Sequence, residues 1–529
     1  MKSLSRNVFV NTACIMASRV FGLARDIVLG WYWGSTEAAQ AAFNVAFAIP
    51  NMLRALFAEG AFNAAFVPMV ASKLKEGNHK EAEDLASKTI TLQCIILAAV
   101  VAIGIIASCI VAAYLPSTTE KHVTLIFKIL PILLPYAIFI CMAGAFASIL
   151  TCLERFAAPS LNPVIFNIIQ IGAVAILWAV GSTRHEFKSL LIFCGSVFFA
   201  GVVQMTFLFW MCRRNGFNVR FVSFWKKENA LIWRDSEVRT LVTRIVPGLI
   251  GSGVFQLNAL LDKALAVYLG SAAVGSLGYS QHLVYLPIGI FGVAMSMVCL
   301  PQMAKATQDE MSDCLDYALR QVLFMTLPCA TLLAVLAEPV IVMLFQRGAF
   351  NAEAVRETVW ALWFLVPGLP AFCCAKVAVT THHGRKDTKT PVKISMYCIA
   401  LNLVLNLTLM QFLRQGGLAL ATAICSWVNV ITLLTIDTKK LPHWNWKSTL
   451  KAVVKLTVAA IIAALIAVAL DRAFLPASQN LGRFFGAFAR VAIGGFPGLA
   501  TYLVIAKLLK CNELNELLDG IRRRKMKKA

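Results

Sequence analysis

The sequence predicts an all-α polytopic membrane protein of about 14 transmembrane helices, and three observations predict it. First, 59% of the 529 residues are hydrophobic and only 14% are charged, where a soluble protein carries roughly 45–50% and about 25%. That apolar surplus cannot hide in one soluble core, which stops growing near roughly 250–300 residues. Second, the apolar residues fall in runs long enough to cross about 30 Å of hydrocarbon, which takes roughly 20 residues of helix. Third, Lys and Arg gather in alternate loops, the signature of a threaded chain. A soluble enzyme, a coiled coil and a disordered scaffold are excluded.

The runs lie near 8–33, 38–70, 90–114, 126–150, 160–181, 189–212, 241–268, 273–303, 318–345, 355–381, 391–413, 417–437, 449–471 and 485–509. The second and eighth are long and contain Pro50 and Pro287, so both are expected to kink or break there. An even number of spans puts both termini on one side. The segments on that side hold roughly 32 Lys and Arg against about 9 opposite, which predicts cytoplasmic termini. They include Lys73, Lys75, Lys80 and Lys88, then Arg213, Arg214, Arg220, Lys226, Lys227, Arg234 and Arg239, then Arg385, Lys386, Lys389 and Lys393. The net charge of +22 is thus a topology signal and not a nucleic-acid footprint. The tail Arg522-Arg523-Arg524-Lys525 reads either as a solvated stop-transfer segment or as a contact for anionic lipid.

The 15 cysteines form no C-x-x-C pair and no Cys/His zinc spacing; Cys14, Cys94, Cys109, Cys141, Cys194, Cys329 and Cys398 sit inside apolar runs as small hydrophobes. No Walker, zincin or nucleophile-elbow motif occurs, and Gly248, Gly251 and Gly253 fit helix packing better than a dinucleotide turn. Work must therefore draw on an ion gradient, the membrane potential or the substrate gradient. Lys2 and Arg6 precede an apolar run without a small-residue cleavage site, which predicts that the first helix is retained.

An internal repeat organises the chain. Asp26…Gly34-Ser35 matches Asp262…Gly270-Ser271, and Pro50 and Pro287 follow at nearly the same distance. Phe66-Val67-Pro68-Met69-Val70-Ala71 then echoes Cys299-Leu300-Pro301-Gln302-Met303-Ala304. Six runs separate the copies, so both insert the same way up, as in parallel-repeat transporters that rock about a central cavity. The expected division is an N-terminal six-helix lobe (1–212), a basic cytoplasmic linker (213–240), a C-terminal six-helix lobe (241–440), two extra helices (441–510) and a basic tail (511–529).

Once the basic residues counted to the loops are set aside, eight remain: Arg19, Arg25, Arg54, Lys128, Arg244, Lys263, Lys376 and Lys455. Lys128, Arg244 and Lys455 are expected to snorkel from helix ends. Arg19 lies about 16 Å and Arg25 about 26 Å along the first run at roughly 1.5 Å per residue. A lipid-facing Arg at the midplane costs at least roughly 2.5–3.5 kcal/mol, so these should face protein or water. Arg19, Arg25 and Arg54 outnumber the nearby acids Asp26 and Glu59. Two readings stand: an anion site, since guanidinium forks suit phosphate oxygens, or the bracing pairs Arg25–Asp26 and Arg54–Glu59. Arg19 and Arg25 are six residues apart and do not share a face of an unbroken helix; a bend at Gly22 would change that.

A second polar set pairs Asn258 with Asp262 and Asn402 with Asn406 at i,i+4, with Thr422 on the next run. Asp262, Asn402, Asn406 and Thr422 suit a small hard cation such as Na⁺. The alternatives are interhelical hydrogen bonding and neutralisation of Asp262 by Lys263.

Ser18-Arg19-Val20-Phe21-Gly22-Leu23-Ala24-Arg25-Asp26 resembles the opening of the MurJ/MviN family, the lipid II flippases of bacterial cell-wall synthesis. So does Pro50-Asn51-Met52-Leu53-Arg54-Ala55-Leu56-Phe57-Ala58-Glu59-Gly60-Ala61-Phe62 with Ala65-Phe66-Val67-Pro68. Leu344-Phe345-Gln346-Arg347-Gly348-Ala349-Phe350 and Asp387-Thr388-Lys389-Thr390-Pro391-Val392-Lys393 extend the resemblance over nearly the whole chain. It implies fourteen helices in two six-helix lobes within the superfamily of multidrug and oligosaccharide-lipid exporters, with the last pair forming a lipid groove. It further implies a multi-pass protein of the bacterial inner membrane that is a transporter and not an enzyme, with no cofactor beyond Na⁺ or the membrane potential as coupling. The implied partners are lipid II and membrane lipids, together with cell-wall synthesis or division proteins, around a monomer. Carried over, Arg19, Arg25 and Arg54 would bind the pyrophosphate headgroup, Asp26 would orient Arg25, and Glu59 would gate or support; His282 is a further candidate for substrate binding and Lys263 for a supporting or gating role.

The departures from the family pattern are specific. Ala41 stands where an acid is common, Ala48 where Lys is common and Ala55 where a second Arg is common; Gln281-His282 replaces Asp-Arg, and Tyr285 replaces Glu. An unperturbed imidazole titrates near about 6.5, so His282 predicts pH-dependent activity. Two rival transport readings remain. One is a flippase for another polyprenyl-linked oligosaccharide; the other is a cation-coupled drug exporter, against which three membrane Arg argue. A non-transporting scaffold would call for larger loops than the longest one here, near 213–240.

Overall fold

The computed structural model describes residues 2–116, 118–183, 187–222, 235–303, 305–441 and 444–516. They fold as helices, with no strand among the described residues, in two compact units, Met1–Val274 and Gly275–Ala529. Linker residues 223–234 and the basic tail from 517 onward lie outside the described set.

The first unit holds α1 (Lys2–Trp33), α2 (Ala38–Phe57), α3 (Ala61–Lys75), α4 (His79–Tyr114), α5 (Lys121–Leu133), α6 (Tyr136–Cys152), α7 (Ala157–Ala179), α8 (Phe187–Arg214) and α9 (Ser236–Leu269). The second begins within α10 (Ser271–Pro287), followed by α11 (Ala294–Met303), α12 (Gln308–Val335), α13 (Ala337–Phe345), α14 (Ala352–Leu365), α15 (Leu369–Gly384), α16 (Lys389–Leu413), α17 (Gln415–Lys440), α18 (Trp446–Ser478) and α19 (Arg483–Leu508). Starts are marked where the sequence marks them: Thr307 and Glu310 form a capping box on α12, and Asp235, Asn351 and Asn445 cap α9, α14 and α18.

Among the described residues, 11 helices are long and apolar enough to cross a membrane, or up to 12 when α5 and α6, bent by 49°, count as one span. That is short of the about fourteen expected. The other two runs fold as α1 and α9, 32 and 34 residues long. These carry Arg19, Arg25, Asp26, Arg244, Asp262 and Lys263, so they have the length of a span and a more polar composition.

The two expected proline breaks turn out differently. Pro287 ends α10, and the chain continues as a π-helical turn (Ile288–Val293) before α11. Pro50 stays inside α2, and the break falls eight residues later, at Ala58-Glu59-Gly60. Gly60 has φ 47° there, a left-handed value that suits glycine. A break at membrane depth leaves helix-end carbonyls that need donors. Gln93 Nε2 donates to Phe57 O at 2.7 Å, and Cys141 Sγ lies 3.6 Å from Leu53 O.

In lipid, apolar burial drives association weakly, so close fit and hydrogen bonds hold the helices. Trp33 and Phe43 pack on Phe193 with ring centroids 4.9 and 4.8 Å apart. A Cβ on Gly144 would sit 2.4 Å from Ala58 Cβ, so α6 touches the α2–α3 break closely only because residue 144 is glycine. Beyond α8, an extended segment lies along α4: the N–H groups of Asn218, Arg220 and Val222 donate to Glu83 Oε1, Ser87 Oγ and Thr91 Oγ1 at 2.6, 3.1 and 3.1 Å. Four helical residues rise about 6 Å and two extended residues about 6.6 Å, so the two repeats stay in register. Lys88 then pairs with Asp235 at 2.7 Å and Lys73 with Glu237 at 2.8 Å, fixing the start of α9 on α3 and α4.

Candidate functional site

The first unit contains a cavity of about 570 Å³, lined from α1, α2, the α2–α3 break, α3, α6, α7 and α8. Arg25 from α1, Arg54 from α2 and Glu59 from the break form its charged wall. Arg25 donates to Asp26 Oδ1 through Nε at 3.1 Å and Nη2 at 2.8 Å. Asp26 is only 7% exposed, so it holds Arg25 from beneath. The guanidinium also lies 5.7 Å from the Phe166 ring centroid, within cation–π range. Arg54 donates through Nε to Asn51 Oδ1 at 2.9 Å and through Nη1 to Glu59. The Glu59 side chain is half exposed, at 51%. Arg25 Nη1 and Arg54 Nη2 have no hydrogen-bond partner among the described residues, leaving donors for an incoming ligand.

The rest of the wall is uncharged: Asn63, Ser148, Thr151, Asn162, Asn167 and Gln204 bring polar groups, and residues such as Phe47, Val67, Tyr136, Ile140 and Phe166 bring apolar ones. Ser148 donates to Asn63, and Gln204 Nε2 to the Asn162 backbone carbonyl at 2.9 Å. Two guanidiniums, amides, hydroxyls and ring faces can hold a phosphorylated, sugar-bearing group. Sequence reasoning missed this neutral wall. A signal was present in α2, where Phe47, Asn51 and Arg54 recur on one helical face.

Some of the expected residues come together at this cavity; others lie on another helix face or in the second unit. Arg25, Asp26, Arg54 and Glu59 come together, each Arg with a carboxylate, so the pairing reading and the ligand reading describe the same four residues. Arg19 is exposed on α1 and does not line this cavity. The helix runs unbroken through Gly22, so the six-residue spacing turns Arg19 to another face. Lys263, on α9, donates to Asn44 O at 3.3 Å. Asp262 also lies on α9 in the first unit, whereas His282, exposed on α10, lies in the second with Asn402, Asn406 and Thr422. Within that unit Asn406 Nδ2 donates to Asn402 Oδ1 at 2.9 Å, and Thr422 donates to Leu418 O of its own helix at 3.0 Å.

The second unit also contains a charged cluster, of which the sequence motifs held only Asp387 and Thr390. Fully buried His382 and Asp437 meet Arg385, whose Nη2 contacts His382 Nδ1 at 3.1 Å and pairs with Asp437. Asp387 accepts from Lys440 at 2.9 Å and from the Thr390 hydroxyl at 2.8 Å. The Lys440 hydrogen bond holds the Asp387 carboxyl well below the usual carboxylate range.

Comparison with known proteins places the chain in a family. The sequence profile of the family described as lipid II flippase MurJ matches residues 32–481. A probable lipid II flippase MurJ of Vibrio cholerae is 31% identical over 446 residues, covering 82% of each chain. One of Rhizobium tropici is 27% identical over 99% of this chain and 97% of its own. Among solved structures, a lipid II flippase MurJ in an inward closed conformation superposes with a TM-score of 0.76 at 22% identity, over 95% of this chain and 99% of that one. An inward-facing multidrug resistance MATE family transporter of the MOP superfamily gives 0.65 at 14% identity, over 83% and 99%; at these identities the two structures speak for the fold alone. With a profile match across most of its length and a relative above 30% identity, the chain belongs to the lipid II flippase MurJ family.

Proposed function

We propose that this chain moves lipid II, the undecaprenyl-pyrophosphate-linked peptidoglycan precursor, from the cytoplasmic to the periplasmic leaflet of the bacterial inner membrane. The observation that carries the reading is the pair of guanidiniums, Arg25 and Arg54, facing one cavity in a MurJ-family chain. Moving an ion bare into low dielectric is heavily penalised. A polar cavity replaces water around the headgroup, and the fork geometry of Arg matches pyrophosphate oxygens. Asp26 keeps Arg25 aimed, while Glu59, half exposed, is the partner that an incoming phosphate displaces from Arg54.

The polyprenyl tail needs no such shelter and runs along the apolar outer face of α18 and α19, where Leu465, Phe485, Phe488 and Phe496 are exposed. Alternating access follows if the substrate binds the two end states unequally, since a ligand shifts an equilibrium only by its differential affinity. The basic ends of α3, α4 and α8 sit in the cytoplasm, as do both termini. A membrane potential, worth roughly 2.3 kcal/mol per charge per 100 mV, then favours return of the empty cationic site toward the cytoplasm.

The test is lipid II exposure in spheroplasts depleted of their own flippase, read by an external enzyme that acts only on outer-leaflet substrate. The wild-type chain should restore exposure, and Arg25→Ala and Arg54→Ala should each abolish it while still inserting. If the inserted wild-type chain restores nothing, the lipid II assignment falls and another polyprenyl-linked oligosaccharide takes its place.

A further inference from the structure

Outside the charged wall, the first unit holds a cation on α9, a helix of membrane-spanning length, with no acidic partner among the described residues. Lys263 makes one hydrogen bond, to the backbone carbonyl of Asn44 on α2 at 3.3 Å, and no ion pair among the described residues. An ammonium carries three donors, and an intramembrane charge left without a counter-ion is costly enough to mark a functional position.

Its location adds the second half of the argument. The α2 face that lines the cavity runs through Phe47, Asn51 and Arg54, at spacings of four and three. One further step of three on the same face reaches Asn44, the residue that Lys263 contacts. Ten residues separate Asn44 from Arg54, about 15 Å along the helix. Asn44 lies toward the end where Ser271 Oγ donates to Thr36 O at 2.6 Å, away from the basic loops. Pro50 sits between the two positions, and a proline removes one rung of the backbone ladder and allows the helix to bend.

We propose that Lys263 is a second anion station, which receives the phosphate groups of the substrate after they leave Arg25 and Arg54. The inference rests on the reading that this chain moves a pyrophosphate-linked lipid. Before the anion arrives, the Lys263–Asn44 hydrogen bond joins α9 to α2. The arriving phosphate replaces that carbonyl as the acceptor and frees α2 from α9, with Pro50 taking up the bend. The charge is handed on rather than released into hydrocarbon.

The experiment uses the full chain in proteoliposomes loaded with lipid II, beside binding of inorganic pyrophosphate to the same protein in detergent. Lys263→Met keeps the length of the side chain and removes its charge; Lys263→Gln is the second neutral variant, used if Met fails to fold. The neutral variant should bind pyrophosphate within about twofold of wild type and flip lipid II about tenfold more slowly or worse. Lys263→Arg should keep most of the flipping rate. A neutral variant that flips at the wild-type rate overturns the proposal. So does an Arg variant as slow as the neutral one, since shape and not charge would then matter. Equal losses of binding and flipping would make Lys263 part of the first site and overturn a second station. Failure of the wild type to flip lipid II strikes the substrate reading and is visible separately.

Discussion

The corner joining α6 to α7 and the corner joining α15 to α16 share one backbone and differ in their side chains. Glu154 and Lys386 are both left-handed, with φ 59° and 62°. Arg155 N bonds to Leu150 O at 2.8 Å and Asp387 N to His382 O at 2.9 Å; Glu154 N and Lys386 N each bond back three residues, at 3.0 and 2.9 Å. This is the paired closure of a Schellman cap, and Pro159 and Pro391 stand five residues beyond the two left-handed positions. The side chains then diverge. At the first corner Thr151 and Pro159 line the cavity, and Glu154 and Arg155 are exposed. At the second, His382, Arg385 and Asp437 bury their polar groups against one another. The repeat thus preserves the turn of the chain, while the side chains make one corner the wall of a cavity and the other a brace.

The largest effect that tests this contrast comes from the brace. Asp437→Asn leaves Arg385 facing a neutral amide in a buried site, and removing one partner of a buried ion pair costs about 3–5 kcal/mol. Arg155→Ala at the open corner should stay within about 0.5 kcal/mol of wild type, as exposed substitutions do. Denaturation of both variants in detergent checks the difference, and equal losses would break the comparison.

A smaller effect should be shared. A left-handed non-glycine residue costs roughly 1–2 kcal/mol, so Glu154→Gly and Lys386→Gly should each stabilise by about 0.5–1 kcal/mol after the added chain entropy of glycine. Unequal gains would show that the corners are alike only in outline.

The smallest effect is a pH dependence confined to the braced corner. The Asp387 carboxyl titrates below its ordinary value because Lys440 hydrogen-bonds its charged form. A depressed carboxylate contributes stability that is present above the unfolded pKa, about 3.9, and lost as pH falls toward the folded value. Melting temperature should therefore fall between pH 6 and pH 3 more steeply in wild type than in Asp387→Asn. Parallel curves would remove the Asp387–Lys440 pair from the brace.

Much of this was legible in the sequence. Apolar runs of membrane length give helices because lipid offers the backbone no other partner, and Gly34 and Gly270, aligned by the repeat, both take positive φ after α1 and α9. Arg25, Asp26, Arg54 and Glu59 stood out because charge inside an apolar run is expensive. The neutral wall did not stand out, because Asn, Ser, Thr and Gln in membrane helices more often hydrogen-bond a neighbouring helix than a ligand. His382 and Asp437 did not either, since a charge near the end of a run reads as solvated until its burial is seen.

The sequence by itself determined where helices form, that Arg25 and Arg54 fall inside apolar runs and that the chain repeats, because each is read from residues local to a segment. Only the tertiary structure decided that the α2 break falls at Gly60 and not at Pro50, that Arg25 reaches the cavity while Arg19 does not, and that one corner opens where its counterpart is braced. Those outcomes depend on which side chains meet across helices, in contacts as close as that between Gly144 and Ala58, and no single segment carries that information.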